Sequence, residues 1–399
     1  ATGSASWVTT VKTSTFTAVA GEGYFVNTTG GAVTVNLPAG VAGAVVAVKD
    51  YANTFDTNAV TLVQNGSDKI GGSTVNATLS TEGLAVTLVF IDSTQGWLVT
   101  DNGTQDTAPT AAYVVATGGT ITTSGNFKIH TFTGPGTLCV SCAGNSGGSN
   151  TVSYMVIAGG GGGANNRGGG GGAGGFRESK AASDSYTASP LNATSGPTYN
   201  LAVPVQGYPI TVGAGAAALG FPPETSGNDG SNSIFSTITS AGGGGGGYCA
   251  TGRNGGSGGG GSYPGPFSAG GSGNTPPVSP PQGNNGGTSS STNSGSGGGS
   301  AGAVGTASSP CTAGPGGAGV ASSINGTPTL RAGGGGGSGN SGGGAAGPGG
   351  GGAGFVGPSG SNPNDDATVN TGGGGGASRG APAGAGGSGI VIVRYKFQN

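Results

Sequence analysis

One stretch of this chain limits every other inference about it. "YMVIAGGGGGANNRGGGGGAGGF", residues 154–176, passes from an apolar strand into blocks of glycine broken by a single polar turn. Such a block has no side chain to bury, and glycine loses more conformational freedom on ordering than any other residue. Comparable blocks recur at 242–247, 258–261, 333–337, 349–352 and 372–376. Either these segments stay disordered, or they order through their backbones.

The 98 glycines and 22 prolines among 399 residues are a level that usually accompanies low complexity. Charged residues, however, make up only 7%, whereas disordered chains stay solvated through charge. The blocks are also flanked by strand-like segments such as "VSYMVIAG" and "IVIVRYKF", and no G-X-Y period runs through the chain, which excludes collagen. Pure glycine has one ordered form that needs no side chain, the extended three-fold helix of polyproline II geometry, rising about 3.1 Å per residue. Without Cβ atoms, such helices can pack side by side and exchange backbone hydrogen bonds, each contributing about 1 kcal/mol net.

The rhythm of the sequence fits a bundle of this kind. Apolar anchors precede several blocks: Val156-Ile157 before Gly159, Ile234 to Ile238 before Gly242, Leu330 before Gly333 and Val369 before Gly372. Short polar turns follow them: "ANNR" (164–167), "YCATGRN" (248–254), "SGNS" (338–341) and "ASRGAP" (377–382). If the anchors share one end, the turns share the other. Phe176 and Phe355, which follow returning glycine runs, are assigned to packing at the base.

The remaining chain reads as all-β. Residues 1–105 form a β domain, with strands at "AVTVNLP", "GAVVAVKDY", "NAVTLVQNG", "LAVTLVFID" and "GWLVTDNG". Turns fall at Asn65-Gly66, Gly71-Gly72, Glu82-Gly83 and Asn102-Gly103. So few large apolar residues predict a thin core, completed against copies of the same domain. Residues 106–112, "DTAPTAA", read as a linker, 113–158 as a β base, 159–388 as the glycine-rich bundle with its loops, and 389–399 as a closing strand beside Val152–Ala158.

Several functions are excluded by composition. A net charge of −2 gives no footprint for nucleic acid, and no apolar run approaches the length needed to span a bilayer. The chain opens with Ala and shows no signal segment, so it is expected to be processed or a piece of something longer. No catalytic residue, metal ligand or cofactor site is expected. The single histidine, His130, lies on a predicted strand and reads as a surface or satisfied residue. The only adjacent carboxylates, Asp365-Asp366, read as a solvated turn rather than a calcium ligand pair, and nothing presents the two positioned carboxylates of a glycosidase. The many accidental GxGxxG matches lack the strand, helix and downstream acid that give that motif meaning.

The residues singled out lie in the turns: Asn165, Asn166, Arg167, Tyr248, Arg253, Asn254, Asn340 and Arg379. Three of the four turns carry an arginine in a chain with only 12 basic residues. Loop aromatics Tyr186, Tyr199, Phe221, Tyr248, Tyr263 and Phe267 are either recognition contacts or caps on the ends of the bundle. Of the four cysteines, Cys139 and Cys142 ("CVSC") form either a strained local bridge or a free dithiol, and Cys249 and Cys311 are candidates to join across the loops.

At these strand-then-glycine repeats, over roughly residues 150–399, the chain resembles the glycine-rich adhesins at the tips of phage long tail fibres. In that family layers of polyglycine II helices present variable loops to the host surface. The segment from Trp7 to Gly40 resembles a β module of marine phage tail fibres; this chain differs from the adhesin pattern in carrying both parts together. The resemblance implies a virion-borne, extracellular receptor-binding protein, a homotrimer joined to other fibre or tail proteins, recognising an outer-membrane protein or glycan of the host. Two other readings stay open: a structural extracellular filament, and an ice-binding polyglycine II protein, which would need a flat face of regular short side chains.

Overall fold

The computed structural model describes residues 5–101, 111–262, 268–290, 293–355 and 365–399. It divides into two compact units, residues 1–112 with the loop 144–149, and residues 113–143 with 150–399. Of the expected linker, 106–110 lies outside the described residues, as does the Asn102-Gly103 turn. Ala111 and Ala112 belong to the first unit. The described elements are strands, as the period-two patterns predict.

The first unit comprises β1 (Ser6–Lys12), β2 (Phe16–Thr17), β3 (Glu22–Val26), β4 (Val33–Asn36), β5 (Val45–Asp50), β6 (Val60–Val63), β7 (Ala77–Leu79), β8 (Ala85–Phe90) and β9 (Trp97–Asp101). β1, β3 and β5 pair in parallel in one sheet, and β2, β4 and β6 pair in parallel in another. The chain therefore winds back and forth between two sheets before β7, β8 and β9 close them in antiparallel fashion. Alternation drives this arrangement: Val33, Val35 and Leu37, with Val46, Val48, Val60, Leu62, Val86 and Leu88, all point into one core with Phe55 and Trp97. That core is closed within a single chain, with Val26, Val35, Phe55 and Trp97 fully buried.

The second unit has a β base: β10 (Val114–Thr117), β11 (Thr120–Ser124), β12 (Phe127–Phe132), β13 (Gly136–Ala143), β14 (Thr151–Ile157), β15 (Phe176–Ser179), β16 (Leu201–Ala202), β17 (Gly207–Thr211), β18 (Ser233–Phe235), β19 (Ile238–Ser240), β20 (Val320–Ser322), β21 (Thr329–Arg331) and β22 (Ile390–Lys396). The closing strand β22 lies between β12 and β14, with Ile390 opposite Ile157, as expected from the sequence. β22 is apolar on both faces because both are covered. Val391, Val393 and Tyr395 meet Leu138, Tyr208 and Phe235 of the sheet containing β13, β17 and β18. Ile390 and Ile392 face the other way, toward Met155, Ile157, Phe176 and Ile324.

Arg394 continues that second face and would be an uncompensated buried charge but for Asp184, whose carboxylate accepts from Arg394 Nε at 3.0 Å. His130 is also buried, held between the Gly118 carbonyl at 2.7 Å and the Tyr395 hydroxyl at 3.0 Å. It is the satisfied residue the sequence reading allowed.

Beyond Ala158 the hydrogen-bond pattern changes. Gly159, Gly160 and Gly161 donate to Ser231, Gly387 and Gly172; Gly162, Gly163 and Ala164 then return to Asn228, Gly384 and Gly169. Each neighbour is met again every third residue. The returning segment behaves alike. Gly169 and Gly172 donate to Gly247 and Gly244, Gly170 and Ala173 to Ser296 and Gly299, and Gly171 and Gly174 to Gly375 and Gly372. Its carbonyls at Gly172, Ala173, Gly170 and Gly171 accept from Gly161, Ser257, Gly260 and Gly335. Segment 168–175 is thus ringed by 158–164, 241–247, 257–260, 296–299, 335–338 and 372–375. A Cβ on Gly169, Gly170 or Gly171 would overlap the carbonyl oxygen of Gly260, Gly335 or Gly161. Backbone approach alone requires glycine there.

Where a neighbouring backbone is missing at the margin, side chains replace it. Asn232 Oδ1 and Asp229 Oδ1 accept the amides of Gly242 and Gly245, each at 2.9 Å and three residues apart. Asn254 and Asn285 do the same for Ser272 and Gly273. Backbone polar groups are thereby satisfied even at the edge.

Two expected anchors are corrected. Leu330 is 40% and Val369 66% exposed. In β21 the buried residue is Arg331, followed by buried Ala332 just past the strand, and Val369 stands in a turn that reverses the chain. Phe355, expected at the base, lies at the opposite end: its amide donates to the Ala377 carbonyl beside the last polar turn. Segment 351–355 runs outward, not back. Phe176, by contrast, is buried at the base.

Candidate functional site

The polar turns are joined to one another through hydrogen bonds. Asn166 and Arg167 adopt left-handed φ values of 51° and 62°, which reverse the chain between two glycine segments. The Arg167 amide donates to the Ser378 carbonyl at 3.0 Å, and Ser338 Oγ donates to that same oxygen at 2.6 Å. Ser262 Oγ donates to the Arg167 carbonyl, and Arg379 Nη1 to the Asn340 carbonyl at 3.4 Å. Turns 164–167, 338–341 and 378–381 therefore form one face, opposite the anchored base.

A further loop, 220–225, joins this face. Asn165 is fully buried and its amide group organises the loop: Nδ2 donates to the carbonyls of Gly220 (3.1 Å) and Pro223 (2.9 Å), while Oδ1 accepts from Thr225 N–H (2.6 Å). The loop thus places Glu224 between two residues singled out from sequence. Asn166 Nδ2 donates to Glu224 Oε1 at 2.5 Å, and the Tyr248 hydroxyl donates to Glu224 Oε2. The hydrogen bond to Glu224 pushes the Tyr248 hydroxyl above its ordinary pKa. Beside it Phe221, Pro222 and Pro223 are exposed, and Cys249 is an exposed free thiol.

Of the residues singled out from sequence, Asn166, Arg167, Tyr248, Asn340 and Arg379 therefore meet at one end of the bundle. Asn165 is there too, but its polar atoms are spent inside the fold. Arg253 and Asn254 are not at this end. The turn after Tyr248 is shorter than "YCATGRN": Arg253 N–H already donates to Gly245, and its guanidinium pairs with Asp229 at 3.4 Å on the flank. Glu224 and Phe221 complete the site. The sequence offered a clue in "GFPPE", an apolar turn ending in one of the few carboxylates.

The other loop aromatics separate. Tyr186 is buried at the base against Arg394 and Ile129, and Tyr199 is half-buried. Tyr263 and Phe267 lie outside the described residues. All four cysteines are free thiols. For Cys139 and Cys142 the reason is geometric: three residues along the extended β13 carry the chain about 10 Å, beyond the roughly 7 Å a disulfide spans between Cα atoms. Cys249 and Cys311 are exposed and unbridged. Among the described residues no group of three or more His, Cys, Asp or Glu is placed to hold a metal ion, and no helix is long and apolar enough to cross a membrane.

Residues 143–396, more than half of the chain, match the model of a family described as a glycine-rich domain. The match takes in most of the base, the glycine segments and the turns. No curated protein matches the chain.

Proposed function

We propose, from the premise that this chain belongs to the glycine-rich domain family, that it is a receptor-binding adhesin at the distal end of a phage tail fibre. In this reading the glycine segments are polyglycine II helices, and the turns they carry are the recognition surface. The first unit extends the fibre shaft and assembles three chains, so that weak single contacts become strong through multivalency.

One observation carries the proposal: turns from distant parts of the sequence gather on one end of a scaffold whose interior is backbone. Loops on such a scaffold can change sequence without disturbing side-chain packing, the property a surface adapting to changing receptors needs. Exposed Phe221 and half-buried Tyr248 and Arg379 supply side-chain types favoured at recognition surfaces. The action is binding and not catalysis, and the setting is the virion, outside the cell.

The test is adhesion of the purified, fluorescently labelled chain to a panel of bacterial strains. Binding to particular strains, abolished by Tyr248→Ala with Asn166→Ala and retained by Arg253→Gln, is the expected result. Failure to bind any strain, or binding indifferent to the tip substitutions, contradicts the reading. A closed trimer in mass measurements is expected, whereas open-ended polymers under the electron microscope favour a structural filament.

A further inference from the structure

Among the described residues, two arginines of the tip form no ion pair. Elsewhere in this unit Arg394 pairs with Asp184, Arg253 with Asp229, and Arg177 donates to the Thr239 carbonyl, while Arg331 is buried in the base with its Nη1 unbonded. Arg167 and Arg379 differ from all four in standing at the turn-bearing end. They lie on adjoining turns, since the Arg167 amide donates to Ser378, the residue preceding Arg379. Arg167 Nε is shielded from solvent yet bonded to nothing, and Arg379 has one long bond to the Asn340 carbonyl. Glu224, the carboxylate of loop 220–225, is already occupied on both oxygens by Asn166 and Tyr248.

Two like charges on neighbouring turns repel unless an anion lies between them, and a guanidinium presents a planar fork of donors that suits phosphate and carboxylate oxygens. We infer that Arg167 and Arg379 form an anion-binding pair, and that the ligand is a surface glycan bearing phosphate or carboxylate groups. This inference rests on the receptor-binding reading and names the ligand class for that same site. The neighbouring groups suit a sugar: Asn166 and the hydroxyl of Tyr248 offer polar edges, and the exposed Phe221-Pro222-Pro223 turn offers an apolar face on which a ring can lie. A purely neutral glycan would leave both guanidinium groups without a counter-charge.

Calorimetric titration of the full chain with matched oligosaccharides, one carrying a phosphomonoester, one a uronate and one neither, tests the inference. Binding of the phosphorylated or uronate sugar, at least about tenfold tighter than the neutral one and weakening as salt rises from about 0.05 to 0.5 M, is expected. Preference between the two charged probes identifies the source of the anion. R167Q and R379Q are each expected to weaken binding about tenfold, R167K with R379K to retain part of it, and R253Q to leave it unchanged. Equal affinity for the neutral sugar, or no binding of either charged one, overturns the inference. Strains bound equally well by the chain and by the R167Q/R379Q double variant also overturn it while leaving adhesion intact. The adhesion reading itself falls if the unaltered chain binds no strain, or if its binding is indifferent to Tyr248→Ala with Asn166→Ala. Adhesion removed by protease treatment of the cells and indifferent to glycan removal would assign a protein receptor and overturn it as well.

Discussion

Adding a single methyl group to the centre of the glycine bundle should destabilise it as much as emptying part of a conventional core. At Gly170 a Cβ would press on the carbonyls of Gly335 and Gly336. Relief requires segments 168–175 and 333–338 to part, which stretches the bonds from Gly335 to Gly171 (2.9 Å) and from Ser338 to Gly168 (3.0 Å). Each bond contributes about 1 kcal/mol net, and each buried group left unpaired costs about 1–3 kcal/mol. With two bonds lost and water excluded, Gly170→Ala should cost about 3–5 kcal/mol. Gly342 lies in the turn region with no atom within 4 Å of an added Cβ. There the same substitution should be neutral, or stabilising by about 0.4–1 kcal/mol through the unfolded state. Urea unfolding of the two variants alongside the unaltered chain measures both changes. A Gly170→Ala midpoint within about 0.5 kcal/mol of the unaltered chain would refute the reasoning, because side-chain-free packing would then not be required.

Asn165→Ala should loosen loop 220–225 while leaving the glycine segments intact, because three hydrogen bonds to that loop disappear. Hydrogen exchange should rise within 220–226 and stay unchanged in 168–176; a uniform rise would contradict the assignment. Asp184→Asn strands the Arg394 charge in the base and should cost about 3–5 kcal/mol, whereas a loss under 1 kcal/mol by urea unfolding would show the pair to be dispensable. His130 gives a pH signature. Burial first, then the Lys128 charge, holds its imidazole below the ordinary 6.5 despite the Gly118 carbonyl. A depressed folded value means stability is complete above pH 6.5 and falls as pH drops below it, because the unfolded chain takes up the proton first. The slope should approach about 1.4 kcal/mol per pH unit at most, and His130→Gln should remove it; identical pH profiles for the two proteins would exclude His130 as the source.

The strands were the most legible part of the sequence. Val33, Val35 and Leu37, or Ile390 through Tyr395, reveal their faces by alternation alone, and the pairing of β22 with β14 follows from the need to bury two apolar faces. The winding of β1 to β6 between two sheets was not legible, because short parallel strands and antiparallel hairpins share the same alternation. In the bundle, the direction of each segment followed from anchors and turns only where the anchor was buried. Leu330 and Val369 misled because a lone apolar residue before glycine says nothing about which way it faces. A finer signal was present at the margins: Gly252 and Gly255, or Gly344 and Gly347, are buried while the residues between them are exposed or half-buried. That local period of three marks outer segments whose single inward face is glycine. Within the site, Asn166, Arg167 and Arg379 were visible as polar punctuation, but Glu224 was not, since its loop reaches Tyr248 through tertiary hydrogen bonds from Asn165 and Ser226 that no local pattern announces.

The central claim is that amides of a side-chain-free segment are held by the backbones around it. Hydrogen–deuterium exchange of the peptide covering residues 168–176 tests this most directly. The account predicts protection comparable to that of strands β14 and β22, with slow exchange along the whole segment. Complete exchange within seconds, while β14 and β22 remain protected, would contradict it.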